Sequence, residues 1–544
     1  MLHVLGQLLG RHQAAVAYCQ LRTFADSLQA ENQDLRGLAD RSDVQFDNLT
    51  RFFQLEWQRL DPERARALAR ADEVAPARHH LHRLTRQAAH TRSTEVEEAL
   101  AERGTAAESA WQQLFGQTTS AIVADFAAAG AARPHTIDQL LSFMDDPRAA
   151  VRKRALDTVF AAVEPWTPVL ARVYDSLVGD RLVMDRVRGY VGPPPDCAPR
   201  PMQQANLAND LADADVDALL DGVQGHYHLA HRYFGIKARR LGAERLLFYD
   251  LYAPVGATLE YPFDAGRQLV LAAVGGFSKV AQRILERCFS EQRIDAEPRR
   301  GKQGGAFCEG VALDAPSFLL LNYTDSLRDV QTLAHELGHA LHDELAKTAQ
   351  GPFGWQPPLV IAEAASTFQE LLLFDHQLAA TPDPETRQGL LFSRIDRSLN
   401  TLFAQTMMAR YEQRSYATKI AGDSLNPERL TRFWLEEAAS YYGEPVELPA
   451  GYGTTWARIP HFIQTRFYTY SYSFAHLVSL ALYARYLEDR SGFVAAYLDL
   501  LGSGGSDTPA EILAQANVDI TNPGWVDQGF GLLGSWIDLA DQDG

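Results

Sequence analysis

The sequence predicts a mainly α fold with one small β-sheet next to a motif-bearing helix. Three observations carry this. Apolar residues recur at helical spacing along most of the 544 residues. Strand-like runs are few and crowd into residues 306–323. Internal repeats, coiled-coil heptads and low-complexity tracts are missing from the sequence.

Met1 to about Arg133 reads as helices rich in Ala, Leu, Glu, Gln and Arg, and Pro134 opens a new segment. The spacing predicts a helix over Asp146 to Trp166 with a solvated basic face. Gly192-Pro193-Pro194-Pro195 marks a loop or change of direction. Helical patterns resume through the 210s and 270s. Ala306-Phe307-Cys308, after the Gly-rich GKQGG, and the apolar run Ser317 to Tyr323 are the strand candidates. Gly502-Ser503-Gly504-Gly505-Ser506 reads as a short loop between two late helices. The expected organisation is an N-terminal helical domain over 1–140 and a second domain over 141–544.

Composition narrows the function classes. The formal net charge is −18, a poor basis for binding nucleic acid or an anionic membrane, since both demand clustered positive charge. Cys19, Cys197, Cys288 and Cys308 show no metal-ribbon or CxxC spacing, as in a protein of a reducing compartment. His3, Gln7, Arg11 and His12 interrupt the mildly apolar start, against a secretory h-region. The apolar stretch Phe474 to Leu487 falls short of the roughly 20 residues that span a bilayer. A cytoplasmic location is the expectation.

The chemistry is concentrated in one helix. Ser326 and Asp329 form a capping-box pattern, and Val330, Leu333, Leu337 and Leu341 follow at helical spacing. His335-Glu336-Leu337-Gly338-His339 lies inside it. Residues i and i+4 share one face, so two imidazoles can bind one Zn²⁺. Glu336 sits on the adjacent flank, in reach of a water at the metal without being a ligand. With 16 histidines in 544 residues, chance supplies roughly 0.03 matches to the bare motif, which favours function over coincidence. Gly338 points the same way, because a helical glycine costs about 1 kcal/mol relative to Ala and needs a close-approach reason.

Catalytic zinc takes three protein ligands and keeps one position open. His342 lies two turns from His335, roughly 10 Å along the axis, so it reads as a supporting or structural residue. Glu363 is the preferred third ligand, because a carboxylate in the apolar, small-residue helix beginning at Leu359 needs a partner. Glu370, two turns on, is the competitor; its neighbourhood reads as a solvated edge.

Beyond HELGH, the chain carries Tyr249-Asp250-Leu251-Tyr252-Ala253-Pro254, Gly304-Gly305-Ala306-Phe307-Cys308, Leu321-Asn322-Tyr323-Thr324, Ala362-Glu363-Ala364-Ala365-Ser366-Thr367, Arg458-Ile459-Pro460-His461-Phe462 and Phe467-Tyr468-Thr469-Tyr470-Ser471-Tyr472. In these segments it resembles the oligoendopeptidase F family, relatives of thimet oligopeptidase, from about residue 145 to the C-terminus. The resemblance implies a large, helical, clam-like body with a deep channel, and zinc-dependent endopeptidase action on short peptides, with one Zn²⁺ per chain. It implies His335, His339 and Glu363 as metal ligands and Glu336 as general base. It also implies that Gly304, Gly305 and Ala306 form a clamp pairing with an extended peptide. His461, Tyr468 and Tyr470 become oxyanion donors, whereas Phe462, Phe467 and Tyr472 are expected to be packed.

Two other functions remain open from sequence. An exopeptidase would need a fixed cation to read a peptide terminus, and Arg458 and Arg466 qualify by position. A helical peptide-binding protein with structural zinc would need a fourth ligand, and no suitably spaced cysteine or histidine supplies one.

Overall fold

In the computed structural model, residues 1–192, 198–256 and 259–542 are described. The expected Pro193-Pro194-Pro195 turn and Cys197 lie outside them. Helices dominate, as expected. The central stack is α2 (Leu327–Ala349), α3 (Leu359–Ala380) and α7 (Thr469–Glu488), backed by α8 (Trp525–Gln542). Each packs along the next. α7 is apolar around almost its whole circumference, with Phe474, Leu477, Leu480 and Ala481 fully buried, which marks it as a core helix. The α2 start follows its sequence signal: Ser326 accepts from the Asp329 N–H, and the Asp329 side chain reaches back to the Ser326 N–H.

The small sheet lies just before α2. β5 (Phe307–Ala312) and β6 (Ala315–Leu320) form an antiparallel hairpin, with Cys308 opposite Leu319. β4 (Ile294–Asp295) pairs parallel to β6, giving the order β4-β6-β5 and leaving β5 at an edge. α1 (Leu2–Ala25) covers the far face of the hairpin, where Ala17 meets Val311 and Ala312 and Phe24 packs edge-on to Phe307 at 5.0 Å.

Two features differ from expectation. Pro134 lies within β2 (Arg133–Thr136), paired with β1 (Val123–Phe126) in an antiparallel hairpin. A two-stranded ribbon tolerates proline because each strand keeps an unpaired edge. Over 149–163 the basic face is only partly solvated: Arg152 is buried against Asp250 and the Tyr249 carbonyl. A further two-residue pairing, β3 (Leu246–Leu247) with β7 (Val446–Glu447), is parallel.

Phe115, Ile122, Phe126, Ile137 and Leu140 belong to the main core, while Trp57, Ala65, Ala69, Leu81 and Leu84 form a separate N-terminal cluster. The Gly-rich stretch 502–506 does connect two helices, and it also braces the link between α2 and α3. Gly505 donates its N–H to the Gly354 carbonyl at 2.7 Å. A Cβ there would lie 2.2 Å from the Gln356 carbonyl oxygen, so only glycine fits. Among the described residues no helix is long and apolar enough to cross a membrane.

Candidate active site

α2 and α3 cross with Gly338 at the contact. This brings His335 and His339, one turn apart on α2, against Glu363 on α3. Their ligand-type atoms lie within 4.8 Å of one another. His335 Nε2 is 3.4 Å from one Glu363 oxygen, and His339 Nε2 is 4.0 Å from the other. The trio lines a cavity of about 780 Å³ whose wall also includes Glu336, β5 from Phe307 to Gly310, and Tyr472.

Glu370 contradicts its sequence reading. It is buried, not solvated. Its carboxylate accepts from His335 Nδ1 at 2.7 Å, Arg397 Nη2 at 2.8 Å and Arg394 Nη1 at 3.1 Å. Burial alone would neutralise it, but Arg397, the His335 bond and Arg394 outweigh that and hold it ionised. An ionised carboxylate only accepts, so His335 donates from Nδ1 and turns Nε2 towards Glu363. A metal at that position would displace the Nε2 proton and leave the Nδ1–H bond to Glu370 in place. Burial opposes a charge on His335, yet its bonds to Glu363 and Glu370 carry its pKa up to about 10. The cluster therefore stabilises positive charge at the convergence point. Burial lowers His339 to about 4, which keeps its ring neutral. Two imidazoles and a carboxylate with converging lone pairs are a donor set that suits Zn²⁺.

Glu336 lies beside the trio with its carboxyl against the Cys308 N–H; burial pushes its pKa to about 7. The three residues expected to form a peptide clamp have distinct placements. Gly304 is exposed with open space around it, and Gly305 is left-handed at φ +83°. Ala306 reaches the cavity wall. Asn322 Nδ2 donates to the Gln303 and Gly305 carbonyls at 2.9 Å each, fixing this loop to the sheet.

The aromatic segment is arranged differently from expectation. His461 opens α6 (His461–Gln464) and stacks on Tyr468 at 5.8 Å, with Tyr472 edge-on at 6.0 Å. Tyr468 and Tyr472 hydrogen-bond through their hydroxyls, and both feel the Glu363 charge. Tyr470 faces the opposite way: it is fully buried, and its hydroxyl accepts from Asn209 Nδ2 at 3.1 Å. So Tyr472, expected to be packed, lines the cavity, and Tyr470, expected to face it, is core. Phe462 and Phe467 are packed as expected. His342 is buried in α2 with neither ring nitrogen hydrogen-bonded.

A second cavity of about 1210 Å³ adjoins the first, sharing Arg397 and Thr401 on its wall. Between α4 (Pro384–Leu399) and α5 (Gln405–Ile420), Asn400–Ala404 forms a π-helical turn that puts Asn400 and Thr401 on this wall. No residue pattern in the sequence had singled out this turn.

The model of peptidase family M3 matches residues 142–532, and that of oligopeptidase F matches residues 56–123. The chain belongs to peptidase family M3. It is a metallo-oligopeptidase of the oligoendopeptidase F type. An oligoendopeptidase F homolog of Lactococcus lactis subsp. lactis is 27% identical over 522 residues, covering 95% of this chain and 85% of that protein. Oligopeptidase PepF of Bacillus subtilis is 27% identical over 392 residues, covering 71% of this chain and 57% of that protein. The oligoendopeptidase-F structure from Enterococcus faecium aligns over 100% of this chain and 92% of its own, with TM-score 0.74 at 21% identity, a likeness of fold.

Proposed function

We propose that this peptidase is a zinc-dependent endopeptidase of short peptides, with His335, His339 and Glu363 as ligands and Glu336 as general base. One observation carries the reading: three donor groups of the right chemistry converge within 4.8 Å, and the Glu336 carboxyl stands beside them on the cavity wall. When bound, zinc supplies Lewis-acid polarisation of the attacking water and the scissile carbonyl.

The chain's own residues do the rest. Glu336 takes the proton of the attacking water and returns it to the leaving amine. Edge strand β5, with Gly304, Gly305 and Ala306 before it, presents its outer edge to an extended peptide, which would add a strand to the sheet. Tyr472, with Tyr468 and His461 beside it, donates hydrogen bonds to the developing oxyanion. Glu370 orients His335. Residues 141–544 serve as the catalytic part and 1–140 pack against it, α1 lying on the sheet. Cys19, Cys288 and Cys308 are free, in keeping with a reducing, cytoplasmic setting.

The test is a length series of internally quenched peptides, assayed with and without chelator, on the native protein and Glu336→Gln. Hydrolysis should require metal, fall away for long substrates, and drop by several orders of magnitude in Glu336→Gln, which keeps its metal. Glu336→Gln turning over at the native rate would remove the base assignment. Cleavage confined to one terminal bond would replace endopeptidase by exopeptidase.

A further inference from the structure

We infer that a small pocket at the start of β5 is an anion subsite of the peptide channel. In it the Arg328 guanidinium takes a carboxylate of the bound peptide, an acidic side chain or the C-terminus, about three residues from the cleaved bond. This rests on the peptide-hydrolysing function proposed above and adds a substrate preference to it.

The pocket encloses about 270 Å³ beside Gly305 and Ala306. Ala306 also lines the cavity of His335, His339 and Glu363, whose wall continues along β5 from Phe307 to Gly310. A peptide laid along the β5 edge therefore leaves that cavity over Ala306 and meets the small pocket. Arg328, in the first turn of α2, lines this pocket and the larger cavity as well. It precedes His335 by two helical turns, so both side chains leave nearly the same face of α2, about 10 Å apart along its axis. An extended peptide covers that span in about three residues.

Within the pocket every other side-chain donor is committed. Asn322 Nδ2 donates to the Gln303 and Gly305 carbonyls at 2.9 Å each. The Tyr323 hydroxyl donates to the Tyr261 carbonyl at 2.8 Å, and the Thr332 hydroxyl to the Arg328 carbonyl at 2.9 Å. The one acid of the lining, Asp329, accepts from the N–H and hydroxyl groups of Thr324 and Ser326. Arg328 is exposed and makes no hydrogen bond or ion pair with any described residue. The helix does not explain it, because the first turn of an α-helix favours acids and opposes a cation. A free guanidinium fork matches a carboxylate bidentately.

The neighbouring groups favour the same place. In the larger cavity Arg397, the other cation, is bound to Glu370, and Asp396 is bound to Lys237 at 2.6 Å. Asp145, Glu260 and Asp325 line the larger cavity but not the small pocket, so an anion is better held on the small-pocket side of Arg328. Neither arginine near His461 competes. Arg466 is held by Asp185 at 2.7 and 2.9 Å, and Arg458 lines none of the three cavities.

The experiment uses quenched peptides in matched pairs: Glu against Gln stepped along the sequence, and free C-terminal acid against amide at stepped chain lengths. The native protein should favour the carboxylate member placed about two to four residues from the cleaved bond. The gain should be roughly fivefold in kcat/KM, mainly through KM. The two series show which carboxylate is read. Arg328→Gln should lose the preference, Arg328→Lys should recover part of it, and Arg328→Glu should turn it towards Lys at the same position. Binding of the same pairs to Glu336→Gln, with and without Arg328→Gln, followed by fluorescence anisotropy, reads the preference without turnover. Failure of hydrolysis would therefore count against the zinc mechanism alone. Arg328 is exposed and unpaired, so its variants should keep the native melting temperature. A preference that survives in Arg328→Gln, one confined to the residues flanking the cleaved bond, or none in the native protein by either readout overturns the inference.

Discussion

Gly338→Ala separates what a helix prefers from what the site requires. In an ordinary helix the change stabilises by about 1 kcal/mol. Here a Cβ would lie 2.6 Å from the Ser366 Cα and 3.0 Å from the Ala365 carbonyl oxygen. Both are backbone atoms of α3, so no side-chain rotation relieves the clash. Reaching an ordinary contact of 3.4 Å demands that the helices part by about 0.8 Å. Overpacking of this kind costs roughly 1–3 kcal/mol, which cancels or exceeds the helical gain. The larger effect falls on the metal. His335 and His339 flank Gly338 on one helix, and Glu363 lies three residues before Ser366 on the other. Ligand distances tolerate only about 0.2 Å, so parting the helices opens the donor set. The expected result is at least a roughly tenfold loss of zinc affinity in chelator competition, with a matching fall in peptide hydrolysis. Zinc should also raise the melting temperature less than in the native protein. A variant that binds zinc normally and melts higher would show that the crossing is not tight and refute the argument.

Three more outcomes follow from the geometry. Glu370→Gln removes the acceptor that fixes His335 and leaves Arg394, only 1% exposed, without its counter-charge. It should lose about 10- to 100-fold in metal affinity and roughly 3–5 kcal/mol of stability by denaturant melt. Tyr472→Phe should lower kcat by about 10²–10³ if its hydroxyl meets the oxyanion, whereas Tyr470→Phe should alter stability only; equal kcat losses would undo that distinction. Glu412, fully buried, accepts the Phe467 N–H at 3.1 and 3.2 Å, and burial carries its pKa from 4.5 up to about 8. The folded chain keeps a proton there that the unfolded chain has lost. This contribution therefore weakens the fold as pH rises from about 4.5 to 8. Glu412→Gln should flatten the melting temperature across that window, and an unchanged slope would exclude Glu412 as its source.

The legible part of this molecule is the part written in local spacing. The capping box, the i and i+4 histidines and the glycine between them each declare themselves within a few residues. Glu363 is preferred to Glu370 because a carboxylate in an apolar, small-residue helix needs a partner and because its Ala362-to-Thr367 segment carries the family resemblance. The same observation applied to Glu370, two turns further along that helix. It was obscured because its partners Arg394 and Arg397 belong to α4 and are nearby only after folding. Arg152 was hidden in the same way: nothing near it in sequence announces Asp250, 98 positions away. Pairing across long separations is tertiary information that periodicity does not contain.

The tyrosines are a different case, because the missing information was a helical phase. Tyr468 and Tyr472 are i and i+4, so once the backbone is helical they share a face, and Tyr470 is turned some 200° from Tyr468. The uncertainty was where the helix begins. Phe467 takes a left-handed conformation, φ +53°, which ends α6 and its following turn before α7 starts at Thr469. A phenylalanine rarely adopts that conformation, and here Glu412 from α5 holds its N–H while its ring is fully buried. The phase of α7 is then locked from the other end, where Ser479 Oγ donates to the Ala364 carbonyl of α3 at 2.9 Å. Ala364 is the residue after Glu363. One hydrogen bond thus ties the helix that presents Tyr472 to the backbone that presents Glu363, and rotating either would move the proposed oxyanion donor relative to the His335, His339 and Glu363 trio.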